Sequence, residues 1–414
     1  MTLVDKLSRY SPDFWDFSQY RDKYAIIKYP AMMVAPMQEQ LLQVILESDE
    51  SISNILDPFA GSGTVLSIGK KLGLDVKGID INPLATLITR VRLEGVPSDL
   101  IHKHIAQLRM YITLLLGNTP PFEFPNINKW FRDDVIADLS VIRKAIQLEK
   151  SLQIRRFFWV CFADTVIRYS NTRSTTFKLH IKELEKIKSM NNDSIDYFIN
   201  KASTIYNQYI TYHKYNNQIE LYTGDAIEIL SNFNENSIDL ICTSPPYGDN
   251  HTTVTYGQFS ILPLLWIDSN DLEKFDKNLL NNFSAIDSAS MGGKIKTKVD
   301  DSLYKDLLKN ITPRKAKKVI SFFDDYCQAF AQMARVLKRG KRLVLTLGNR
   351  RVDNIELPFD ILNDRLAAKY GLEKEAIITR NIQGKRMPSK LSHIPNLGAV
   401  TSMKKEYVII YKKL

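Results

Sequence analysis

Apolar residues along the first hundred positions follow two rhythms. Leu41, Leu42, Ile45 and Leu46 recur at helical spacing, which predicts a helix over Met37 to Glu47. The apolar run Ile52 to Leu56 has the length of a buried strand. It meets Asp57-Pro58-Phe59-Ala60-Gly61-Ser62-Gly63-Thr64, a glycine-bearing turn. A helix is expected from Thr64 to Leu72, because Lys70 and Lys71 suit its exposed last carbonyls and Gly73 follows as a stop. Leu74 to Ile79 reads as a second strand ending at Asp80. Asn82 with Pro83 then opens a helix whose Leu84, Leu87, Ile88 and Val91 share one face. Strand, turn, helix, strand, helix implies a parallel sheet covered by helices.

The rhythm changes between Gly95 and Asn217. The long mixed stretches Ser98–Leu116 and Ile136–Ile167 look helical and strand-like alternation is scarce, so residues 96–218 are expected to form a mainly helical insertion. It carries a basic polar segment from Arg168 through Asn171, Arg173 and Lys178 to His180. Strands return at Ile219–Tyr222, before Gly224-Asp225-Ala226, and at Ile238–Cys242, before Thr243-Ser244-Pro245-Pro246-Tyr247. Residues 268–318 are rich in Lys, Asn and Ser and read as a basic, loop-rich segment, mobile or ordered by a partner. Val319–Leu337 is an amphipathic helix that Lys338-Arg339-Gly340 should stop. Leu343–Leu347 and Tyr407–Tyr411 follow as strands. The expected architecture is a doubly wound α/β sheet built from residues 1–95 and 219–414 and interrupted by the helical insertion.

Composition narrows the setting. The chain has 414 residues, 44% hydrophobic and 25% charged, ordinary globular values that argue against wholesale disorder. Lys and Arg number 56 against 46 Asp and Glu, a net charge of +10 that favours an anionic partner such as nucleic acid. Cys161, Cys242 and Cys327 are far apart, which excludes a local disulfide framework or Cys-x-x-Cys zinc site and fits a reducing compartment. MTLVDKLSRYSPDFWDF has no apolar core of signal-peptide length, and charges break every apolar stretch short of a membrane span. A soluble, cytoplasmic protein is expected, with no membrane partner and no metal.

The turn at Gly61 and Gly63 lets backbone amides approach a ligand. It is neither a dinucleotide fingerprint, which would need a glycine at Leu66, nor a phosphate loop, which would need Gly-Lys-Ser/Thr. Asp80, at the next strand end, can accept both hydroxyls of a ribose. Asp57 at the mouth of the turn suits a cationic amine better than a phosphate. A ribose-bearing cation without phosphate describes S-adenosylmethionine. In Ser244-Pro245-Pro246-Tyr247 the prolines fix φ, remove two amide donors and leave carbonyls facing outward. The Ser244 hydroxyl and the Pro245 carbonyl can accept the two N–H bonds of an exocyclic amine, with Tyr247 stacked on its base. Such bonds free the nitrogen lone pair from the ring for attack on a methyl group, and positioning supplies most of the rate enhancement.

These residues resemble the amino-group DNA methyltransferases that modify cytosine N4 or adenine N6. Tyr29-Pro30-Ala31 looks like that family's N-terminal cofactor-binding element, and the segment with Asp57, Phe59, Gly61, Gly63 and Thr64 like its glycine motif. Asp80 resembles its ribose-binding acid, and Asp225 with Ala226 the position beside the cofactor's adenine. Ser244-Pro245-Pro246-Tyr247 matches its catalytic motif, and Ser in first place leans toward cytosine N4 over adenine N6. The resemblance implies a Rossmann-like, S-adenosylmethionine-dependent fold and a double-stranded DNA substrate. It also implies a prokaryotic restriction-modification setting at the nucleoid, with a cognate restriction endonuclease as a separate protein. A non-catalytic DNA-binding regulator on the same fold is the rival of another class.

An exocyclic amine inside a duplex is out of reach, so the base must be extruded into a pocket. Tyr247, then Tyr256 and Phe259, are the candidate stacking rings, and His251 is a candidate pocket lining. Candidate DNA contacts are Arg168, Asn171, Arg173 and Lys178 in the insertion, and Lys294, Lys296 and Lys298 in the basic segment.

Overall fold

The computed structural model describes residues 1–17, 27, 29–30, 32–96, 101–173, 176–209, 216–246, 255–290, 301–309, 311–352, 355–381, 391–394, 398–400 and 405–414. Its centre is a sheet of seven strands, β1 (Asn54–Asp57), β2 (Asp75–Asp80), β3 (Ile219–Thr223), β4 (Ile238–Thr243), β5 (Leu337–Leu347), β6 (Leu372–Asn381) and β7 (Lys405–Lys413). They lie in the order β3-β2-β1-β4-β5-β7-β6. Strands β1 to β5 run parallel, whereas β7 enters antiparallel to both β5 and β6. The chain winds outward from β1 to β3, then crosses back to lay β4 on the other side of β1. That reversal opens a crevice at the carboxyl ends of β1 and β4, the usual ligand position in a doubly wound sheet. The Rossmann-like α/β arrangement expected from the sequence is the one the chain adopts.

Helices cover both faces because each carries an apolar stripe. On one face α1 (Ala35–Ser48) and α2 (Thr64–Lys71) bury Leu41, Ile45 and Leu66 against Ile55 and Val76 of the sheet. The expected stop after Lys71 is seen: Gly73 has φ +90° and the chain turns directly into β2. On the other face α10 (Pro313–Val336) and α11 (Phe359–Lys369) pack Phe330, Met333 and Leu362 against Leu56, Ile241 and Leu343. Between these, α3 (Pro83–Glu94) follows β2, α8 (Ala226–Ser231) follows β3, and α9 (Tyr256–Trp266) lies beyond β4.

The segment between α3 and β3 is helical, with α4 (Ile101–Leu115), α5 (Asp133–Leu148), α6 (Leu152–Tyr169) and α7 (Ser194–Tyr209). Phe157, Phe158, Trp159, Phe162 and Phe198 form the heart of a core that also takes in Leu84 and Ile88 of α3 and Ile261 and Leu264 of α9. Each such fully buried side chain is worth about 1.5–3 kcal/mol relative to exposure. The helices therefore rest on α3 and α9 and not on the sheet itself.

Several expected elements differ. The stretch read as helical over Ile136–Ile167 is helical and is divided into two helices, because Ser151 caps a new start: its hydroxyl accepts the Ile154 N–H, while Glu149 accepts the Ser151 N–H. The helix read from Val319 begins at Pro313, which is tolerated in a first turn where no backbone donor is needed. It ends at Val336, and Lys338-Arg339-Gly340 belongs to β5, where Gly340 at φ +76° lies in a register shift opposite Ile238 to Leu240. Strand β6 was not anticipated. Within 268–318, the described residues form short helical turns with Leu279, Ile286 and Tyr304 buried, so this stretch is packed and not merely a loop.

The amino ends of the strands carry a charge cluster. Asp239 accepts from the Ser53 N–H and hydroxyl and from Lys338 Nζ at 2.7 Å, which holds its carboxyl below the ordinary value. Nearby, Lys341 pairs with Asp49, and Arg342 reaches Glu375 in two bonds. A second buried acid, Asp271, ties the insertion to the chain after α9. Its oxygens accept Arg155 Nε and Nη2, each at 2.8 Å, and Trp159 Nε1 at 2.7 Å. Asp271→Ala leaves three N–H groups, two of Arg155 and one of Trp159, without that acceptor, and urea denaturation should show a loss of roughly 2–4 kcal/mol.

Candidate active site

Five parallel strands present their carboxyl ends along one edge, where Asp57, Asp80 and Ser244 stand at or just beyond strand ends. Asp57 ends β1 and is 0% exposed. Its Oδ1 accepts the Thr243 hydroxyl at 2.5 Å and the Phe59 N–H at 3.1 Å, so the end of β1 is bonded directly to the end of β4. The Oδ2 atom is buried with no partner. Burial pushes the Asp57 carboxyl up to about 7; its two hydrogen bonds oppose the shift and the nearby Asp80 charge adds to it.

Asp80 ends β2 and reaches across the turn. Gly61 N–H donates to its Oδ2 at 2.7 Å and Asn82 N–H to its Oδ1 at 2.8 Å. Burial raises Asp80 to about 6 against these two donors. The two glycines have different tasks. Gly61, at φ +52°, is open toward the Tyr29 ring, 3.9 Å from where a Cβ would stand. Gly63, at φ +75°, has no such room: a Cβ would meet the Thr89 side chain at 2.6 Å. Gly63 thus permits α2 to pack on α3, and Thr89 in turn donates to the Gly61 carbonyl. The Thr64 hydroxyl is buried and accepts from Arg92 Nη1 at 3.4 Å, a contact inside the helix packing.

Asn82, which sequence reading treated only as a helix start, joins three elements. Its Oδ1 accepts the Leu84 N–H, capping α3, while its Nδ2 donates to the Tyr29 hydroxyl at 2.9 Å and to Ser260 Oγ at 2.7 Å. Tyr29 is buried, stacks on Tyr256 at 5.9 Å and meets Phe259 edge-on at 5.8 Å. Asp287, at the start of the short helix Ala285–Ser290, accepts the Gly257 and Gln258 N–H groups at the head of α9. Neither Asn82 nor Asp287 sits in a recognisable pattern. The Asn-Pro after a strand-ending acid was the one available signal for the first.

The remaining predicted residues divide clearly. Pro30 is buried beside Tyr29, and Phe59 is half-buried in the turn. Asp225 caps α8 through the Ile227 N–H, with Ala226 the first helical residue. The Gly224 N–H bonds to the Asp80 carbonyl, which brings Asp225 alongside. Ser244 and Pro246 are half-buried and Pro245 buried, immediately beyond Thr243. Ala31, Tyr247, His251, Lys294, Lys296 and Lys298 lie outside the described residues. In the insertion, Arg168 and Arg173 are exposed and Lys178 is half-buried. Arg168 stacks on the Tyr197 ring at 4.5 Å, so its charge is already engaged. Asn171 is a correction: it is buried, its amide donates to the Lys129 carbonyl at 3.3 Å, and it offers no surface for a polyanion. Cys242 is buried in β4, as are Cys161 and Cys327 in their helices. Among the described residues no cluster of His, Cys, Asp and Glu could hold a metal ion, and no helix is long and apolar enough to cross a membrane.

No protein-family model matches the chain. It is similar over 99% of its length to the Type II methyltransferase M.MvaI of Kocuria varians, at 29% identity and covering 96% of that protein. It is also similar to the Type II methyltransferase M.AvaI of Nostoc sp., at 24% identity, over 91% of this chain and 84% of the relative. Among solved structures, a SAM-dependent methyltransferase of Methanosarcina mazei aligns over 90% of this chain and 97% of its own, with 10% identity and a TM-score of 0.30. That likeness adds nothing to the fold already given by the strand order.

The raised acids set a pH dependence. Between about pH 4 and 7 the folded chain keeps a proton on Asp57 that the unfolded chain releases, so stability falls as pH rises through that window. Asp57→Asn keeps an acceptor for Thr243 and removes the charge. Denaturant melts should show a flatter profile and a gain over wild type at pH 8 on the order of a few kcal/mol.

Proposed function

We propose that this protein is a sequence-specific DNA methyltransferase that moves a methyl group from S-adenosylmethionine to the exocyclic N4 of cytosine in double-stranded DNA. The observation that carries the reading is the bond between Thr243 and Asp57. It brings the glycine turn and the Ser244-Pro245-Pro246 segment to one end of two adjacent strands. The full-length similarity to Type II methyltransferases supports the same reading and favours a restriction-modification role with a separate endonuclease.

The residues present fit the cofactor. The orphaned Asp57 Oδ2 lacks the cationic or hydrogen-bonding partner that a buried carboxylate needs. Asp80 uses one backbone bond on each oxygen, which leaves lone pairs for a ribose diol. Gly61 keeps the wall of the turn open beside Tyr29, and Asp225 stands next to Asp80 for the adenine end. When bound, S-adenosylmethionine supplies an electrophilic methyl on a sulfonium.

The rest falls to this chain. Ser244 Oγ and the Pro245 carbonyl accept the two N–H bonds of the target amine and turn its lone pair away from the ring. Pro245 and Pro246 hold those acceptors rigid, so little reorganisation remains when the amine attacks. No strong base is required beforehand, since the alkylated nitrogen is acidic and sheds its proton afterward. The basic surplus of the chain draws the phosphate backbone, which makes association fall steeply with salt.

The test is a label-transfer assay on unmethylated mixed-sequence duplex DNA, followed by digestion and mass identification of the nucleoside. N4-methyldeoxycytidine is expected; N6-methyldeoxyadenosine would reassign the target, and no transfer by wild type would favour a DNA-binding regulator. Ser244→Ala should lower turnover at least about a hundredfold, the contribution of one positioned polar group and its geometry. Its cofactor affinity by calorimetry should stay within twofold.

A further inference from the structure

Past the end of α6 the chain forms a small arm, residues 171–173 and 176–182. Thr172 pairs antiparallel with Ile181, Arg173 N–H bonds to the His180 carbonyl, and Lys182 N–H bonds to the Asn171 carbonyl. Its root is fixed by Asn171 N–H on the Trp130 carbonyl at 2.7 Å. Its far side is fixed to α9, where the Leu179 N–H donates to Gln258 Oε1 at 3.1 Å. Phe177 rides on this arm, edge-on to Phe259 at 5.8 Å, yet 44% exposed. Through Phe259 it continues a row of rings that ends at Tyr29, whose hydroxyl Asn82 holds beside Asp80.

Phe177 is not alone: Ile181 on the same arm and Leu184 just after it are 38% and 63% exposed, and apolar groups gathered on one charged face point to an interaction surface. The charge around it selects the partner: residues 168–188 carry six Lys and Arg against two Glu. Arg173, His180, Lys186 and Lys188 are all exposed there. A second protein surface would have to match a basic field around an apolar tip, whereas duplex DNA supplies phosphates for the rim and stacked bases for the ring.

We propose that this arm docks on duplex DNA, with Phe177 entering the base stack as an apolar wedge while Arg173 and Lys178 hold the backbone. The proposal rests on the reading that duplex DNA is the substrate and adds the element that opens it. The contacts to Gln258 and Phe259 give the wedge a fixed position relative to α9, so unstacking takes place beside the rings that lead through Phe259 to Tyr29.

The chain provides a clean reporter. Its four tryptophans, Trp15, Trp130, Trp159 and Trp266, are all buried, so Phe177→Trp creates the one indole that acrylamide can quench freely. Mixed-sequence duplex DNA at low salt should cut that quenching several-fold, at concentrations where wild type shifts the same DNA in a gel. Phe177→Ala should weaken duplex binding roughly five- to a hundredfold, the usual loss for one stacked ring, with cofactor affinity unchanged. Unaltered quenching under saturating DNA overturns the arm while leaving DNA methylation intact. Protection that grows with protein concentration in the absence of DNA overturns it in favour of a second copy at this face. Failure of wild type to bind duplex DNA removes both this proposal and the reading beneath it.

Discussion

The parallel pairing of β1 with β4 is the constraint on which the site depends. Ile55 opposite Leu240 and Leu56 opposite Ile241 fix the register, which brings the ends of the two strands side by side, where Asp57 accepts the hydroxyl of Thr243, the last residue of β4. The sequence positions involved are almost two hundred residues apart, so their meeting is a product of topology, not of local preference. Burying Asp57 with one oxygen unpaired is costly for the free chain, and a fold selected for stability alone would have little reason to keep it.

Much of this was legible beforehand, for identifiable reasons. Elements β1, α2, β2 and α3 announce themselves because short apolar runs alternate with capped helices and the breakers Gly73 and Pro83 fall at their ends. The place of Asp57 and Asp80 at strand ends was legible because each closes an apolar run of strand length. What failed was whatever depends on tertiary neighbours. Lys338-Arg339-Gly340 has the composition of a helix stop, but Leu337 before it and Arg342 after it both pair with β4, so it is carried into the strand as a register shift. Strand β6 has much of its length at a half-covered edge, with too weak an alternation to read. Asn171 has the chemistry of a base-reading residue and the burial of a structural one, a distinction that no local pattern contains.

The helical insertion sits where it can affect the edge without forming part of it. It shares a core with α3, whose start is capped beside Asp80, and with α9, which emerges beyond the Ser-Pro-Pro segment. Arg155, Arg156 and Trp159 all converge on Asp271 just after α9. The helical block is fastened at these points, while the sheet keeps its own two cores on either face.

The two ends of the sheet differ in how their charges are satisfied. At the amino ends, Asp239, Asp49 and Glu375 each meet a cation. At the carboxyl ends, two acids face each other across a turn with only hydrogen bonds between them and their cost. Drift in the sequence will therefore be filtered unevenly. Changes at the finished floor are weighed by whether the chain still folds, and changes at the unfinished rim by what it can still hold.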